Sequence, residues 1–283
     1  MSPLDPEEQR VVSRESWESA ADGWGRHAER VREWGMPVST AMIEALALRS
    51  GERVLELAAG PGDTGLMAAE LVRPATLISS DGAEAMVEVA RQRARALGID
   101  NVEFRQLELE WIDLPTASVD AVLCRWGIML TVDPEAAARE MRRVLVPGGR
   151  TALAVWNDPG LNPWATVPSG VMVELGHTQP PDPEAPGMFA LAGDGRLSEL
   201  LQDAGFTDVS VEVVALDRRY LTVDEFVADT FEMSPGLSSM HGKLSAEEQA
   251  DIAARIAIGV QPFTAADGSL SLPGSSLVAR AIA

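Results

Sequence analysis

At Val54-Leu55-Glu56-Leu57 a short apolar run meets Ala58-Ala59-Gly60-Pro61-Gly62-Asp63-Thr64-Gly65, a glycine-rich turn that opens a helical pattern. A strand that turns this sharply into a helix suits a sheet whose strands are joined by helical crossovers. Glycines there let the backbone pass close to a ligand, and the following helix N-terminus offers free N–H groups and a partial positive charge. Gly60, Gly62 and Gly65 also satisfy the G-x-G-x-x-G spacing of dinucleotide-binding turns. Alone, that spacing is weak, because a purely structural strand-to-helix turn can carry it.

The chain around the turn keeps the same rhythm. Residues 1–50 read as helical, with Trp17, Trp24 and Trp34 as bulk and a helix over 38–48 that ends near Gly51. Strands are expected at 53–57, 75–80, 102–106, 119–124 and 151–156, and helices at 63–72, 83–97 and 134–145. The 83–97 helix carries Met86, Ala90, Ala94 and Leu97 on one stripe and is closed by Gly98. A helix over 197–204, a strand over 209–216 and a last strand over 276–283 complete the pattern. Alternation of this kind predicts a doubly wound α/β sheet, mostly parallel, with helices on both faces. Two Pro/Gly-rich or helical segments, 157–195 and 222–275, do not fit the alternation and are expected beside the substrate.

Asp81 sharpens the reading of the turn. It ends the second strand, 25 residues after Glu56 and 19 after Gly62. In a doubly wound sheet its carboxylate lies beside the glycine turn, where it can accept from both ribose hydroxyls. An Asx-turn or cap for the next helix is compatible with the same position. A nucleoside-bearing cofactor is thereby favoured, with NAD and S-adenosylmethionine both in contention.

Charge narrows the partners. The net charge is −20, so the chain repels phosphate backbones and anionic lipid surfaces. Its densest basic stretch, Arg91, Arg93 and Arg95, shares a helix with Glu84 and Glu88 and reads as a solvated face. No nucleic-acid or membrane partner is expected, the substrate is expected to be a small molecule, and a homo-oligomer is compatible with the sequence. No apolar run approaches the roughly 20 residues that a bilayer demands, and the start, MSPLDPEEQR, lacks a signal-peptide pattern. A cytoplasmic protein is expected. A single Cys124 forms neither an internal disulfide nor a cysteine-based zinc site, and His27, His177 and His241 lack metal-ligand spacing. No metal is expected.

Several motifs in order give the segment a family likeness. Glu56, two residues before Ala58 and followed by Gly60 and Gly62, resembles the first motif of the class I S-adenosylmethionine-dependent methyltransferases. Asp81-Gly82-Ala83-Glu84-Ala85-Met86 resembles the second motif, and Gln106-Leu107-Glu108-Leu109-Glu110 the segment that meets the adenine edge. The run from Val119 through Cys124, Arg125, Trp126, Gly127 and Ile128 to Met129 resembles the fourth strand and its exit. Arg143-Val144-Leu145-Val146-Pro147-Gly148-Gly149-Arg150 resembles the turn before strand five. The likeness is closest to the quinone-biosynthesis-like branch of small-molecule methyltransferases, covers residues of about 45–156 well, and is poor in both inserts.

The resemblance implies a Rossmann-like sheet of seven strands, the last antiparallel, in one catalytic domain, 1–283. Residues 1–48 would form a helical lid, 49–156 the cofactor core, 157–195 and 222–275 substrate-side caps, and 196–221 with 276–283 the remaining core. It implies S-adenosyl-L-methionine as cofactor and S-adenosyl-L-homocysteine as product. Glu56 would help to hold the methionine amino group, and a carboxylate there suits an ammonium better than the pyrophosphate of NAD. Asp81 would take the ribose, Gly82 would lie beside it, and Met86 would wall the adenine. Glu108 would accept from the exocyclic amine while the Leu109 N–H donates to a ring nitrogen. Cys124 and Arg125 would meet the methionine part through backbone, and Trp24 would close over the cofactor. Ala58 stands where the family pattern has a glycine, and alanine there is expected to keep φ negative.

Methyl transfer from a sulfonium is an in-line displacement in which positioning in a dry pocket can do most of the work. A hydroxyl acceptor would gain from a base near neutral pKa, so His27 and His177 are the catalytic candidates. Apolar residues in and beside the inserts suit a hydrophobic or aromatic substrate, with Trp126, Trp156 and Phe189 as its expected contacts. An NAD-dependent oxidoreductase and a non-catalytic cofactor-binding protein are the competing readings.

Overall fold

The computed structural model describes residues 5–182 and 185–283. In chain order the elements are α1 Pro6–Arg26, α2 Ala28–Leu46, β1 Val54–Leu57, α3 Asp63–Val72, β2 Leu77–Asp81, α4 Glu84–Leu97, β3 Val102–Gln106, β4 Val119–Arg125, α5 Pro134–Val144 and β5 Leu145–Trp156. There follow α6 Pro163–Glu174, α7 Arg196–Asp203, β6 Thr207–Tyr220, α8 Val223–Met233, α9 Pro235–His241, α10 Ala246–Gly259 and β7 Leu270–Ile282.

The seven strands form one sheet in the order β3-β2-β1-β4-β5-β7-β6. β1 to β5 pair in parallel, and β7 runs antiparallel to both β5 and β6. The centre is apolar on both faces: all of β1 is buried, as are Ala121, Val122, Leu123 and Cys124 of β4, as covered parallel strands demand. Strand order reverses between β1 and β4, which opens a crevice beyond their carboxyl ends where ligands of such sheets lie.

Of the two helices before the sheet, α1 roofs that crevice and α2 packs on the sheet. α1 opens with a capping box in which the Asp5 carboxylate accepts from the Glu8 N–H at 2.9 Å. It breaks at His27, whose φ/ψ of −97°/8° lets α2 leave in a new direction. α2 buries Val31, Trp34, Val38, Met42 and Leu46 at helical spacing, a stripe that packs across β5, β7 and β6.

The second insert departs from expectation at its end. Residues 270–275, placed above in the second insert, belong to β7, so the β6–β7 ladder runs from Thr207↔Ile282 to Tyr220↔Leu270. Leu270 and Leu272 alternate with serines and are buried, a period-2 signal that Pro273 and Gly274 obscure. The glycine has a packing reason: a Cβ at Gly274 would come 2.5 Å from Leu216 Cδ1. β5 likewise begins at Leu145, six residues before its expected start at Thr151, and carries the Pro147-Gly148-Gly149 turn as an irregularity in its ladder with β4.

Candidate active site

The glycine turn after β1 owes each of its small residues to a separate requirement. Gly60 and Gly62 have φ of 53° and 83°, a region that side chains disfavour. Gly65 leaves room for Glu56, since a Cβ there would collide with the Glu56 carboxylate. Ala58 corrects the expectation of a negative φ. It sits at φ 49°, a left-handed conformation that costs a non-glycine residue about 1 kcal/mol. The loop after β4 makes space for it: a Cβ at Gly127 would collide with that of Ala58 and come within 2.9 Å of Cys124 Sγ.

Asp81 reaches over the turn. Its Oδ2 accepts from the Gly60 N–H at 2.9 Å and its Oδ1 from the Ala83 N–H at 3.0 Å, an Asx-turn at the start of α4. Burial pushes its carboxyl up to about 6, against the pull of those two N–H groups. Together Ala58, Gly60, Asp81, Gly82 and Met86 line one wall of a cavity of about 530 Å³. Glu108 continues this wall beside Gly82, and Leu109, Arg125 and Trp126 also line the cavity.

Helix α1 supplies the roof, which the sequence showed only in Trp24. Glu7, Arg10, Ser13, Arg14, Trp17 and Trp24 face the cavity from it. Their spacing of about three and four residues marks one helical face, the signal that could have identified them. The roof is tied down by charge. Arg10 Nε donates to Glu110 at 2.6 Å, Arg14 pairs with Glu108 at 3.1 Å, and Glu18 accepts from the Glu84 and Ala85 N–H groups at 2.7 and 2.9 Å. Trp24 Nε1 donates to the Met233 carbonyl at 2.8 Å, linking the roof to α8.

Three predicted cofactor residues lie behind the wall. Glu56 is buried, accepting from the Gly65 N–H at 2.6 Å and the Ser79 hydroxyl at 2.7 Å. Both its oxygens are thus occupied beneath the turn, so it supports the turn rather than facing a ligand directly. Burial lifts its carboxyl to about 7. Gly62 packs toward Ala90 on α4, and Cys124 lies in the core with its thiol pushed up to about 12 by burial. Arg125 does reach the cavity, held by Asp63 and Ser39, each at 3.0 Å.

Neither predicted base reaches the cavity wall. His27, at the α1–α2 break, has Nδ1 3.2 Å from Asp229 and Nε2 2.9 Å from Glu232, so its ring clasps α8. His177 lies just past α6, its backbone N–H donating to the Met172 carbonyl at 2.9 Å. The sequence places His27 beside Trp24 and His177 in the Pro-rich insert, but the His27 ring is drawn to the carboxylates of α8. Of the predicted substrate contacts Trp126 lines the cavity, Trp156 stacks behind it with centroids 4.3 Å apart, and Phe189 packs against the core away from the wall. Among the described residues no group of three or more His, Cys, Asp or Glu side chains is placed to hold a metal ion.

The wall chemistry suits a nucleoside joined to a cationic amino acid. Asp81 offers acceptors for hydroxyls and Met86 an apolar face for a base, while four lining carboxylates against three guanidiniums leave a small acidic excess that favours an ammonium. Its arginines, Arg10, Arg14 and Arg125, are paired with Glu110, Glu108 and Asp63, which leaves them poorly placed for a pyrophosphate.

Comparison with known proteins agrees. Residues 48–171 match a family described as a methyltransferase domain. A ubiquinone/menaquinone biosynthesis C-methyltransferase, UbiE, of Pasteurella multocida is 30% identical over 194 residues, which covers 63% of this chain and 72% of that protein. UbiE of Escherichia coli O1:K1 is 29% identical over 194 residues, covering 63% and 77%. Among solved structures, the YcgJ protein of Bacillus subtilis superposes with a TM-score of 0.59 at 22% identity, covering 86% of this chain and 97% of that one, a likeness of fold. The oxidoreductase reading finds no support in these matches. The chain belongs to the class I S-adenosylmethionine-dependent methyltransferases, in their quinone-biosynthesis-like branch, and its cofactor is S-adenosylmethionine.

Proposed function

We propose that this methyltransferase acts on a small, hydrophobic or aromatic organic acceptor that lies against the Trp126 side of the cavity. The carrying observation is the wall itself: Trp126 faces the cavity and is backed by Trp156 and Trp34, with ring centroids at 4.3 and 5.2 Å. The side of the cavity with Asp81, Gly82, Met86 and Glu108 suits the cofactor, so the acceptor approaches from the indoles. When bound, S-adenosylmethionine supplies a methyl group activated by its sulfonium.

In this reading Asp81 accepts from the ribose hydroxyls, Met86 walls the adenine, and Glu108 with the Leu109 N–H reads the adenine edge. Gly60 lets the backbone approach, and Glu56 acts through the turn by holding Gly65 and Ser79. Arg125 and the Cys124 backbone border the methionine end. Trp17 and Trp24 on α1 exclude water once the roof is closed, and Glu108 exchanges its Arg14 partner for the adenine amine. The names of the UbiE relatives, C-methyltransferases of quinone biosynthesis, support an electron-rich ring as the acceptor, for which positioning suffices without a base. With a net charge of −20, the same proposal places the protein in the cytoplasm without a nucleic-acid partner. Among the described residues no helix is long and apolar enough to cross a membrane.

The test is direct. Calorimetry should detect S-adenosylhomocysteine binding and none of NAD. Incubation with S-adenosylmethionine and a panel of hydroquinones, phenols and aliphatic alcohols should yield methylated products, by mass spectrometry, from the aromatic members alone. Methylation confined to aliphatic or strongly polar acceptors would overturn the proposal.

A further inference from the structure

Beyond Trp126 the carboxyl end of the sheet holds a buried cation that the reading above does not use. Trp156 ends β5, Trp34 lies on α2 and Trp164 on α6, and the rings pack into one cluster with neighbouring centroids 4.3 to 6.4 Å apart. Arg218, near the end of β6, inserts its guanidinium between Trp34 and Trp164, 4.1 Å from each ring centroid. It is 5% exposed and, among the described residues, makes no ion pair. Its guanidinium donates to the Tyr220 hydroxyl, and Asp229, whose charge also reaches it, is taken up by Arg30 and His27.

Two hydrogen-bond donors in this cluster have no partner. They are Arg218 Nε and Trp34 Nε1, on residues in direct contact. A guanidinium withdrawn from water without an anion costs several kcal/mol. Two indole faces return about 1–2 kcal/mol each, and the unbonded N–H groups add about 1–3 kcal/mol each on the cost side. An unbranched apolar side chain would fill the same slot without that cost. Residues that hold a charge in so unfavourable a place are those poised for a ligand of opposite charge.

Topology puts this cation at the acceptor end. Arg218 is opposite Leu272 in the β6–β7 ladder, four residues beyond the level at which Val214 and Trp156 flank Ser276. It therefore lies at the carboxyl rim, on the far side of Trp126 from Asp81 and behind the cavity wall, to which Trp126 is the member of the cluster that contributes. We infer that the acceptor is an aromatic carboxylate, its negative oxygens received by Arg218 and Trp34 Nε1 and its ring laid on the indole cluster. The inference rests on the acceptor side proposed above. It also explains how a protein of net charge −20 can attract an anion: the recognising charge is buried, where the acidic surface is least able to compete.

Calorimetry on the full chain saturated with S-adenosylhomocysteine tests this, with 1-naphthoate and its neutral isostere 1-naphthamide as probes. The naphthoate should bind at least tenfold more tightly than the naphthamide. Arg218→Met should abolish that preference while S-adenosylhomocysteine affinity stays within twofold, and Arg218→Lys should keep part of it. Equal affinities in the wild type, binding of neither probe, or a preference that survives Arg218→Met would overturn the inference. The wild-type comparison decides even if the methionine variant fails to fold. Failure of the methyltransferase assignment would show separately, as absent S-adenosylhomocysteine uptake.

Discussion

The two halves of the carboxyl rim are built on different principles. The cofactor half draws on one nearly continuous stretch, from the Ala58 turn through Asp81 and Leu109 to Trp126, in which each binding group follows its own strand. The acceptor half adds to Trp126 the side chains of Trp34, Trp156, Trp164 and Arg218, drawn from four elements spread over most of the chain. Polar groups of the first are satisfied by backbone N–H groups and by ion pairs, whereas two donors of the second are left without partners. A ligand shared across a family can be held by a local motif, but one particular to a single enzyme has to be met by whatever the packing brings together.

The largest expected effect lies in the first half. Asp81→Ala removes an acceptor that the turn orients, and S-adenosylhomocysteine affinity should fall about 100-fold, close to 3 kcal/mol. A change below threefold by calorimetry would erase the contrast between the halves. In the wild type the affinity should rise from pH 5 to pH 7, because the Asp81 carboxyl, lifted to about 6, ionises across that interval.

Glu56 sharpens the comparison through stability. Its folded pKa is raised from 4.5 to about 7, so between these values the native state binds more protons than the unfolded one. Stability from this group is therefore fully present below the lower value and is lost as pH rises through the upper one. Glu56→Gln should gain on the wild type by on the order of 2 kcal/mol at pH 7.5 and differ little at pH 4.5. Urea unfolding at the two pH values measures this, and a constant difference would refute it.

Next comes the contact between the halves. Gly127→Ala overpacks the junction of Ala58 and Cys124, and should cost about 1–2 kcal/mol of stability. Ala58→Gly in the same chain should recover at least half of that, since it removes the colliding methyl. Additive losses in the double variant would show that the two loops are not coupled. The smallest effects are expected from the histidines. His27→Ala and His177→Ala should each change turnover less than threefold, because neither ring reaches the cavity. A tenfold loss in either would return a base to the mechanism.

Much of the cofactor half was legible beforehand. The glycine turn, Asp81 and the strand alternation are local signals, and the structure realises them with strand ends shifted by up to six residues. Ala58 shows the limit: its φ is set by the space that Gly127 leaves 69 residues later, which no local rule conveys. The roof was legible only as helix, because which face of α1 turns inward depends on the Arg10–Glu110 and Arg14–Glu108 pairs. Glu56 was found as a site residue but not as one whose two oxygens are already engaged beneath the turn.

Hydrophobic periodicity and turn chemistry, both short-range, were enough to determine a doubly wound sheet and the wall that takes the nucleoside. Tertiary structure alone decided which distant side chains share the far side of the rim. Packing brings Trp34 and Trp164 onto the two faces of Arg218, and such proximity arises from the folding of separate elements onto one sheet. The sequence of any one of them carries no trace of it.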